Sequence, residues 1–502
     1  MRMQTNFLIQ EGTKVDNQET QFKNKGLILI NIVLLTFMAC LDGSIVNVAL
    51  PVMAKSFSVG MSSISAIVST YLIAISATIL IFGRLGDIYG SVKIFKMGAI
   101  IFIIGSFLCA ISNSMILLVA SRIIQAIGAA GYMATNQGII TTAFPANERG
   151  RALGILGAFV ALGNLVGPPL GGFIIDVVSW KYIFLINIPV GIFAIALGMK
   201  VLPKDEDSLK SKFDIKGGFL FLIFIISLFG AMLVGQNIGF TRPLILGSFA
   251  LAIVTFILFI KYESIEESPL LKLNIFRNKL FSLSILCGFL LFVAMSCSNI
   301  ILPFYFQDVI KLSPSVTGLY LMTYPLVLLV VAPISGYLSD KIGSELLTFL
   351  GLLTFSVGFF LVATLNESFE PVKIIIFIAV MSLGNGMFQS PNNSLIMSTV
   401  PKNSLGIAGS INALVRNLGL VVGVSVSTLI LYGVMSSRLG YTVTNFVNGK
   451  EAEFCYAMSV TYISAGSLSL IGAILTAIRL SRKKKSAYTV LDGDGQDTLE
   501  KE

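Results

Sequence analysis

Residues 26–50, GLILINIVLLTFMACLDGSIVNVAL, form an apolar run with one charged side chain, Asp42. About 20 such residues in a helix cross a hydrocarbon core of about 30 Å. Of the 502 residues in the chain, 55% are hydrophobic and 12% are charged. A soluble domain carries about 25% charged residues, and a disordered chain lacks the apolar content. The run therefore predicts a membrane-spanning helix, and the composition predicts a polytopic membrane protein.

Fourteen runs of this kind follow one another along the chain. Lipid offers the backbone no hydrogen-bond partner, so each run must be a helix. The sequence thus predicts an all-α integral membrane fold with 14 transmembrane helices. The predicted limits are 26–50, 61–82, 94–113, 115–137, 150–174, 181–201, 215–235, 243–261, 280–302, 316–338, 345–364, 373–397, 404–432 and 456–479.

One short pattern occurs twice, as GRLGDIYG at 83–90 and GYLSDKIG at 336–343. We predict that each copy is a short cytoplasmic loop, after the second and the tenth helix. Loops at equivalent places indicate two six-helix units in a pseudo-twofold repeat, with two extra helices between them, which is a usual plan of secondary transporters. The predicted segments are an N-terminal segment 1–25, a first bundle 26–201, a linker with helices 7 and 8 at 202–279, a second bundle 280–479 and a tail 480–502.

The distribution of positive charge predicts the orientation. Alternating the runs places the Lys and Arg residues outside the helix interiors at roughly four to one in favour of the side that holds both termini. That side is predicted to be the cytoplasm of a cell with a bacterial-type inner or plasma membrane. The net charge of +9 is attributed to Lys and Arg residues in the cytoplasmic loops. We expect no nucleic-acid partner, because no basic stripe is interleaved with aromatic residues, and no cleaved signal peptide.

The residue inventory argues against an enzyme. The chain has no histidine and five cysteines, four of them inside apolar runs and none in a CxxC pair. This excludes His-based zinc sites and Ser-His-Asp hydrolysis, and no metal site is expected. No P-loop pattern is present either. We expect no resident cofactor.

Three charged residues lie well inside spanning runs, away from the ends: Asp42, Arg122 and Arg416. An ionisable side chain within the bilayer is costly and is a functional hypothesis by default. Asp42 suits a group that loads and releases a proton or contacts substrate, and its alternative role is a structural hydrogen-bond acceptor. A buried arginine stays protonated and must find acceptors. Arg122 is therefore either a partner of the proton path or a structural cation.

Four local patterns carry a resemblance to a known group. They are LDGSIVNVALP at 41–51, the 83–90 pattern, SRIIQAIG at 121–128, and a spaced Gly/Pro set on the fifth helix. Small residues let two helices approach closely, and a Pro–Gly cluster is predicted to kink the helix. This set comprises Gly154, Gly163, Gly167, Pro168, Gly171 and Gly172. With these patterns the chain resembles the fourteen-helix drug:proton antiporter family of the major facilitator superfamily.

The resemblance implies a major facilitator fold arranged as 6 + 2 + 6 helices, and transport by alternating access. It implies that Asp42 exchanges a proton for substrate, that Arg122 tunes Asp42, and that the proton gradient supplies the energy. It also implies gating loops, whose residues are Gly83, Asp87, Gly90 and Lys93 in the first half and Gly336, Asp340 and Gly343 in the second. The family's basic residues are replaced by Ile88, Ser91 and Val92, which leaves a latch between Asp87 and a helix end as the alternative to a charge relay.

The acid count bears on the substrate. Asp42 is expected to be nearly alone as a spanning acid, because Asp308 and Asp340 are predicted in loops. A lipophilic or monocationic drug or dye is the predicted substrate, exported by a chain that functions as a monomer among membrane lipids. The alternatives are export of a native metabolite or lipid, a non-transporting membrane sensor, and a membrane-embedded enzyme.

Overall fold

The computed structural model describes residues 25–144, 146–205, 213–266, 269–271, 273–400 and 405–496. Fourteen of its helices are long and apolar enough to cross a membrane, which confirms the predicted number. The described residues contain no β-strand. The fourteen helices are α1 Lys25–Phe57, α2 Ala66–Tyr89, α3 Ser91–Ile111, α4 Met115–Ala143, α5 Ala146–Val177, α6 Tyr182–Val201 (made of Tyr182–Leu185 and Asn187–Val201), α7 Ile215–Ile238, α8 Pro243–Glu263, α9 Lys279–Phe304, α10 Pro314–Ile342, α11 Ser344–Val362, α12 Pro371–Ser398, α13 Leu405–Leu439 and α14 Glu451–Gln496.

The chain divides into two compact units. The first is Met1–Lys272 with Ser313–Leu319. In it α1 packs along α5, α3 along α4, and α2 against α4. The extra helices α7 and α8 pack on each other, and α7 also packs on α2. Both extra helices therefore lie within the first unit.

The second unit is Leu273–Leu312 with Tyr320–Glu502. In it α11 packs along α12 and α14, and α9 packs along α13 and α14. The pairs α3–α4 and α11–α12 approach closely, because glycines allow it. A Cβ on Gly98 would lie 2.7 Å from the carbonyl oxygen of Gly128, and a Cβ on Gly351 would lie 2.6 Å from the backbone nitrogen of Phe388.

The two GxLxDxxG patterns are not loops, which corrects the sequence prediction. Residues 83–89 are the last turns of α2, and residues 336–342 are the last turns of α10. Only the final glycine of each pattern leaves the helix. Gly90 has φ +103° and Gly343 has φ +91°. These left-handed conformations suit glycine, so one residue is enough to connect each helix to the next.

Several helices extend past the predicted limits, and two of these extensions change an earlier assignment. A π-helical turn, Tyr305–Val309, continues α9, so Asp308 is not in a loop; it is buried at 7% exposure. The expectation that Asp42 is nearly alone as a spanning acid is therefore wrong: Asp308, at the end of the ninth span, and Glu263, at the end of α8, are also buried. The backbone of α14 runs to Gln496 instead of ending at 479, because Lys and Arg, which dominate 482–485, are good helix formers.

Candidate functional site

Asp42 lies in the middle of α1 and is fully buried, at 0% exposure. Its Oδ2 accepts a hydrogen bond of 2.6 Å from Arg122 Nη1 on α4. Its Oδ1 accepts from Gln125 Nε2 at 2.9 Å and from Asn187 Nδ2 at 2.9 Å. Three N–H donors from two other helices thus satisfy an ionised carboxylate inside an apolar bundle. The structure thus brings Asp42 and Arg122, both predicted inside spanning helices, together as one ion pair.

Arg122 is 1% exposed and is held by more than its counter-ion. Its Nη1 also donates to Gln125 Oε1 at 2.6 Å. The guanidinium carbon lies 3.9 Å from the ring centroid of Tyr71 and 5.6 Å from that of Phe184. Cation–π contacts of this kind stabilise a desolvated arginine. Arg122 Nε has no hydrogen-bond partner among the described residues.

Ser106 extends the hydrogen-bond network around the pair of Asp42 and Arg122. Ser106 on α3 accepts from Gln125 Nε2 at 2.8 Å and from Asn187 Nδ2 at 3.4 Å. The network therefore joins α1, α3, α4 and α6. All of its members are 1% exposed or less. A buried ion pair needs such additional hydrogen bonds, because burying two charges is costly even when they attract each other.

The sequence did not single out Gln125, Ser106, Asn187 or Tyr71. Gln125 stands within the 121–128 pattern, three residues after Arg122 and so on the same helix face. That spacing could have assigned it to the site. Ser106 carries no such signal, because small hydroxyl residues occur throughout apolar helices.

The glycines of α5 lie against the turn of α1 that carries Asp42. A Cβ on Gly163 would lie 2.8 Å from the carbonyl oxygen of Phe37 and 2.9 Å from Cys40 Cβ. Gly167 and Gly171 continue the same stripe against Ser44 and Ile45. Ser44 Oγ also donates to the carbonyl oxygen of Gly163 at 3.2 Å.

The remaining members of the Gly/Pro set are placed differently. The Cβ positions of Gly172 and Gly318 lie against the backbones of Pro314 and Pro168, so the end of α5 packs on the first turn of α10. Gly154 lies in α5, but its surroundings fall outside what is described. Helix α5 is continuous through its Pro residues.

The gating residues of the first half surround the α2–α3 turn. Asp87 is exposed and pairs with Arg84 at 3.9 Å, one turn away on the same helix. The start of α3 is capped by another acid: Asp205 accepts from the backbone nitrogen of Val92 at 2.8 Å and from that of Lys93 at 3.0 Å.

The two glycines of this turn differ. A Cβ on Gly83 would meet nothing within 4 Å. A Cβ on Gly90 would collide with the Asp205 carboxylate. Gly90 therefore makes room for the cap, whereas Gly83 is not needed for packing here.

The residues predicted in the second half do not assemble into a comparable site. A Cβ on Gly336 would lie 2.7 Å from Ser390 Oγ, and Gly343 forms the turn after α10. The side chain of Asp340 lies outside the described residues. Arg416 on α13 is partly buried and has no hydrogen bond or ion pair to any described residue. No group of three or more His, Cys, Asp or Glu in the described ranges could hold a metal.

Fourteen helices long and apolar enough to span a membrane, with an acid–arginine pair buried among them, are the architecture of a multi-pass membrane protein. The comparison with known families agrees. The family model of the Major Facilitator Superfamily matches residues 32–424 and 284–494. The chain belongs to this superfamily of membrane transporters.

Three relatives show the range within the family. The riboflavin transporter RibZ of Clostridioides difficile (strain 630) is 38% identical over 92% of this chain and 99% of its own. The uncharacterized transporter YebQ of Escherichia coli (strain K12) is 33% identical over 91% and 96%. The multidrug transporter protein MdtP of Bacillus subtilis (strain 168) is 29% identical over 86% and 79%.

A solved structure shares the fold. A POT family transporter in complex with a thioalcohol-conjugated peptide matches 92% of this chain and 96% of its own, with a TM-score of 0.69 at 15% identity. At that identity the likeness concerns the fold alone.

Proposed function

We propose that this chain is a proton-driven exporter of small lipophilic or monocationic compounds. The observation that supports it is the fully buried pair of Asp42 and Arg122, joined at 2.6 Å. An ionisable residue within the bilayer marks an ion or substrate pathway by default. A carboxylate that pairs with an arginine in one state and with a proton in another can couple proton movement to substrate movement. Relatives named as multidrug transporters and resistance proteins support the substrate class.

The contacts of Asp42 suggest how coupling works. In the paired state the carboxylate is ionised and Arg122 neutralises it. In our proposal Asp42 takes a proton only after Arg122 has moved away, while Gln125 and Asn187 keep it in place. Releasing the proton on the cytoplasmic side restores the pair. The proton gradient then supplies the work of alternating access, with no cofactor, and both termini in the cytoplasm.

The experiment is efflux of a lipophilic cationic dye from energised cells. It compares wild type, Asp42→Asn and, as a matched control, Glu370→Gln, which removes an exposed acid. We expect efflux by wild type and the control, its loss with a protonophore, and background efflux by Asp42→Asn at equal membrane expression. Wild-type efflux that survives the protonophore contradicts proton coupling. Full efflux by Asp42→Asn makes the pair structural.

Riboflavin is the second candidate substrate, because a relative that aligns over nearly its whole length is named a riboflavin transporter. Riboflavin is a specific case of the native-metabolite alternative. Riboflavin fluoresces, so its movement can be followed in the same cells in both directions. Riboflavin flux without dye efflux favours the metabolite, and dye efflux without riboflavin flux favours the drug class. A chain that moves neither, although well expressed, would act as a sensor or on another compound.

A further inference from the structure

Two buried carboxylates face each other at the adjoining ends of α7 and α8. Asp214 precedes α7 and is 6% exposed, and Glu263 ends α8 and is 3% exposed. Glu263 lies within hydrogen-bonding reach of the Asp214 side chain. A Cβ built on Gly217 would collide with Asp214 Oδ2 and would lie 2.5 Å from Glu263 Oε1. One oxygen of each acid is therefore directed at the same point.

The other oxygen of each acid is already bonded. Asp214 Oδ1 accepts from the backbone nitrogen of Gly217 at 2.8 Å, which caps α7. Glu263 Oε2 accepts from the backbone nitrogen of Leu271 at 3.0 Å, in the segment that leads to α9. The two facing oxygens, Asp214 Oδ2 and Glu263 Oε1, have no hydrogen-bond partner among the described residues.

Two ionised carboxylates cannot bond to each other, because neither carries a hydrogen. Like charges at close range in a buried position also repel strongly, and acid pairs in proteins resolve this by sharing one proton. A hard cation is the other solution, but such ions take six or more oxygen ligands. Only two carboxylates meet here, and no larger group of acids that could hold a metal occurs in the described ranges.

We infer that Asp214 and Glu263 form a proton-binding site, in which one hydrogen is shared between Asp214 Oδ2 and Glu263 Oε1. The shared proton joins the start of α7, the end of α8 and the segment at Leu271. This gives the two extra helices a role of their own, which is separate from the proposed coupling at Asp42. Loss of the proton leaves two facing negative charges and separates the helix ends.

Other ionisable groups surround the pair without replacing the proton. The Tyr262 hydroxyl is hydrogen-bonded to both Glu266 and Asp214, so it is a neutral neighbour of the pair and leaves Glu263 Oε1 facing Asp214 Oδ2. Lys216 and Lys261 are exposed. On α2, which packs against α7, Arg84 and Asp87 pair with each other at 3.9 Å. The partners that act on Glu263 are Asp214 and the backbone nitrogens of Leu270 and Leu271.

The test is infrared spectroscopy of the purified full chain in lipid, titrated with pH. A protonated carboxyl has a C=O stretch that an ionised one lacks, and deuterium shifts it. We compare wild type with Glu263→Gln and Asp214→Asn, whose amide supplies the missing hydrogen, and with the matched control Glu266→Gln. Asparagine caps a helix as well as aspartate does, so Asp214→Asn keeps the start of α7.

We expect wild type and Glu266→Gln to lose one carboxyl band per molecule as the pH rises, and both pair variants to lack that band. The melting temperature of wild type should fall with rising pH relative to the pair variants, since the folded pair binds a proton that the unfolded chain releases. A band that persists in both pair variants overturns the proposal. Rescue of wild-type melting at high pH by Na⁺ or Ca²⁺ also overturns it, in favour of a cation site. Neither readout involves substrate, so the result is independent of the proposed transport.

Discussion

The two bundles solve the same packing problem with different chemistry in their cores. In the first unit, Asp42 and Arg122 form an ion pair at 0% and 1% exposure. In the second unit the core is joined by neutral groups: Asn385 Nδ2 donates to the Tyr324 hydroxyl at 2.7 Å, and Ser382 Oγ donates to the Tyr324 carbonyl oxygen at 2.5 Å. Both units are helical, but their polar cores differ. The first core thus holds a buried ion pair and the second a neutral cluster of Asn385, Ser382 and Tyr324, while the buried carboxylate of the second unit, Asp308, lies apart at the end of α9.

The largest expected effect comes from removing one charge of the first core. Arg122→Ala leaves Asp42 buried without a counter-ion, and breaking a buried pair in this way costs about 3–5 kcal/mol. We expect the free energy of unfolding in mixed micelles to fall by that amount, and transport to be lost. The double variant Asp42→Asn with Arg122→Gln should recover most of the stability without recovering transport. If Arg122→Ala were as stable as wild type, the claim that a buried ion pair holds the core of the first unit would be wrong.

The α1–α5 contact of the first unit gives the next largest effect. Gly163→Ala places a Cβ against the Phe37 carbonyl and Cys40. Overpacking of this kind costs about 1–3 kcal/mol. The matched control is Gly83→Ala, which meets nothing within 4 Å and should gain up to about 1 kcal/mol from better helix propensity. Thermal unfolding of the purified variants measures both, and equal effects would show that the stripe is not a tight contact.

A neutral hydrogen bond of the second core should matter less. Asn385→Ala removes the partner of the Tyr324 hydroxyl, a loss of about 1 kcal/mol. If this core does no ion chemistry, the variant alters the preference among transported compounds and leaves the protonophore sensitivity of efflux unchanged. Efflux assays with several dyes, each with and without protonophore, measure this. A change in proton dependence would erase the distinction between the bundles.

The smallest expected effect is that of Arg416→Gln. This side chain is partly buried and has no bond to a described residue, so we expect a change within about 0.5 kcal/mol. The same unfolding assay applied alongside Arg122→Ala compares the arginines of the two bundles directly. A loss comparable to that of Arg122→Ala would mean that Arg416 has a charged partner of its own.

The sequence was sufficient for the fold, because spanning length and apolar content are local properties. Fourteen runs predicted fourteen helices, and the cost of burying Asp42 and Arg122 marked both as special. It was not sufficient for the polar partners. Whether Asn187 reaches Asp42 depends on how α6 is rotated against α1, 145 residues away in the chain. No periodicity within one helix records that rotation.

The ends of the helices were harder to predict from the sequence than the polar partners. The glycine patterns indicated turns, but only Gly90 and Gly343 adopt the left-handed conformation. Polar residues before them stay helical because a helix can continue past the apolar run. Asp308 was assigned to a loop for the converse reason: its polar neighbours ended the run although the backbone did not stop turning.

The cap of α3 has a consequence for how the first bundle is made. Asp205 follows Val92 by 113 residues, so the ribosome releases it only after all six helices of that bundle have been synthesised. Until then the amide groups at the start of α3 have no carboxylate to bind, and the cavity left by the missing side chain of Gly90 is open. A residue that is synthesised after all six helices therefore completes the turn between α2 and α3. Chains stalled before residue 205 should expose that turn to a protease, whereas chains released after it should protect it.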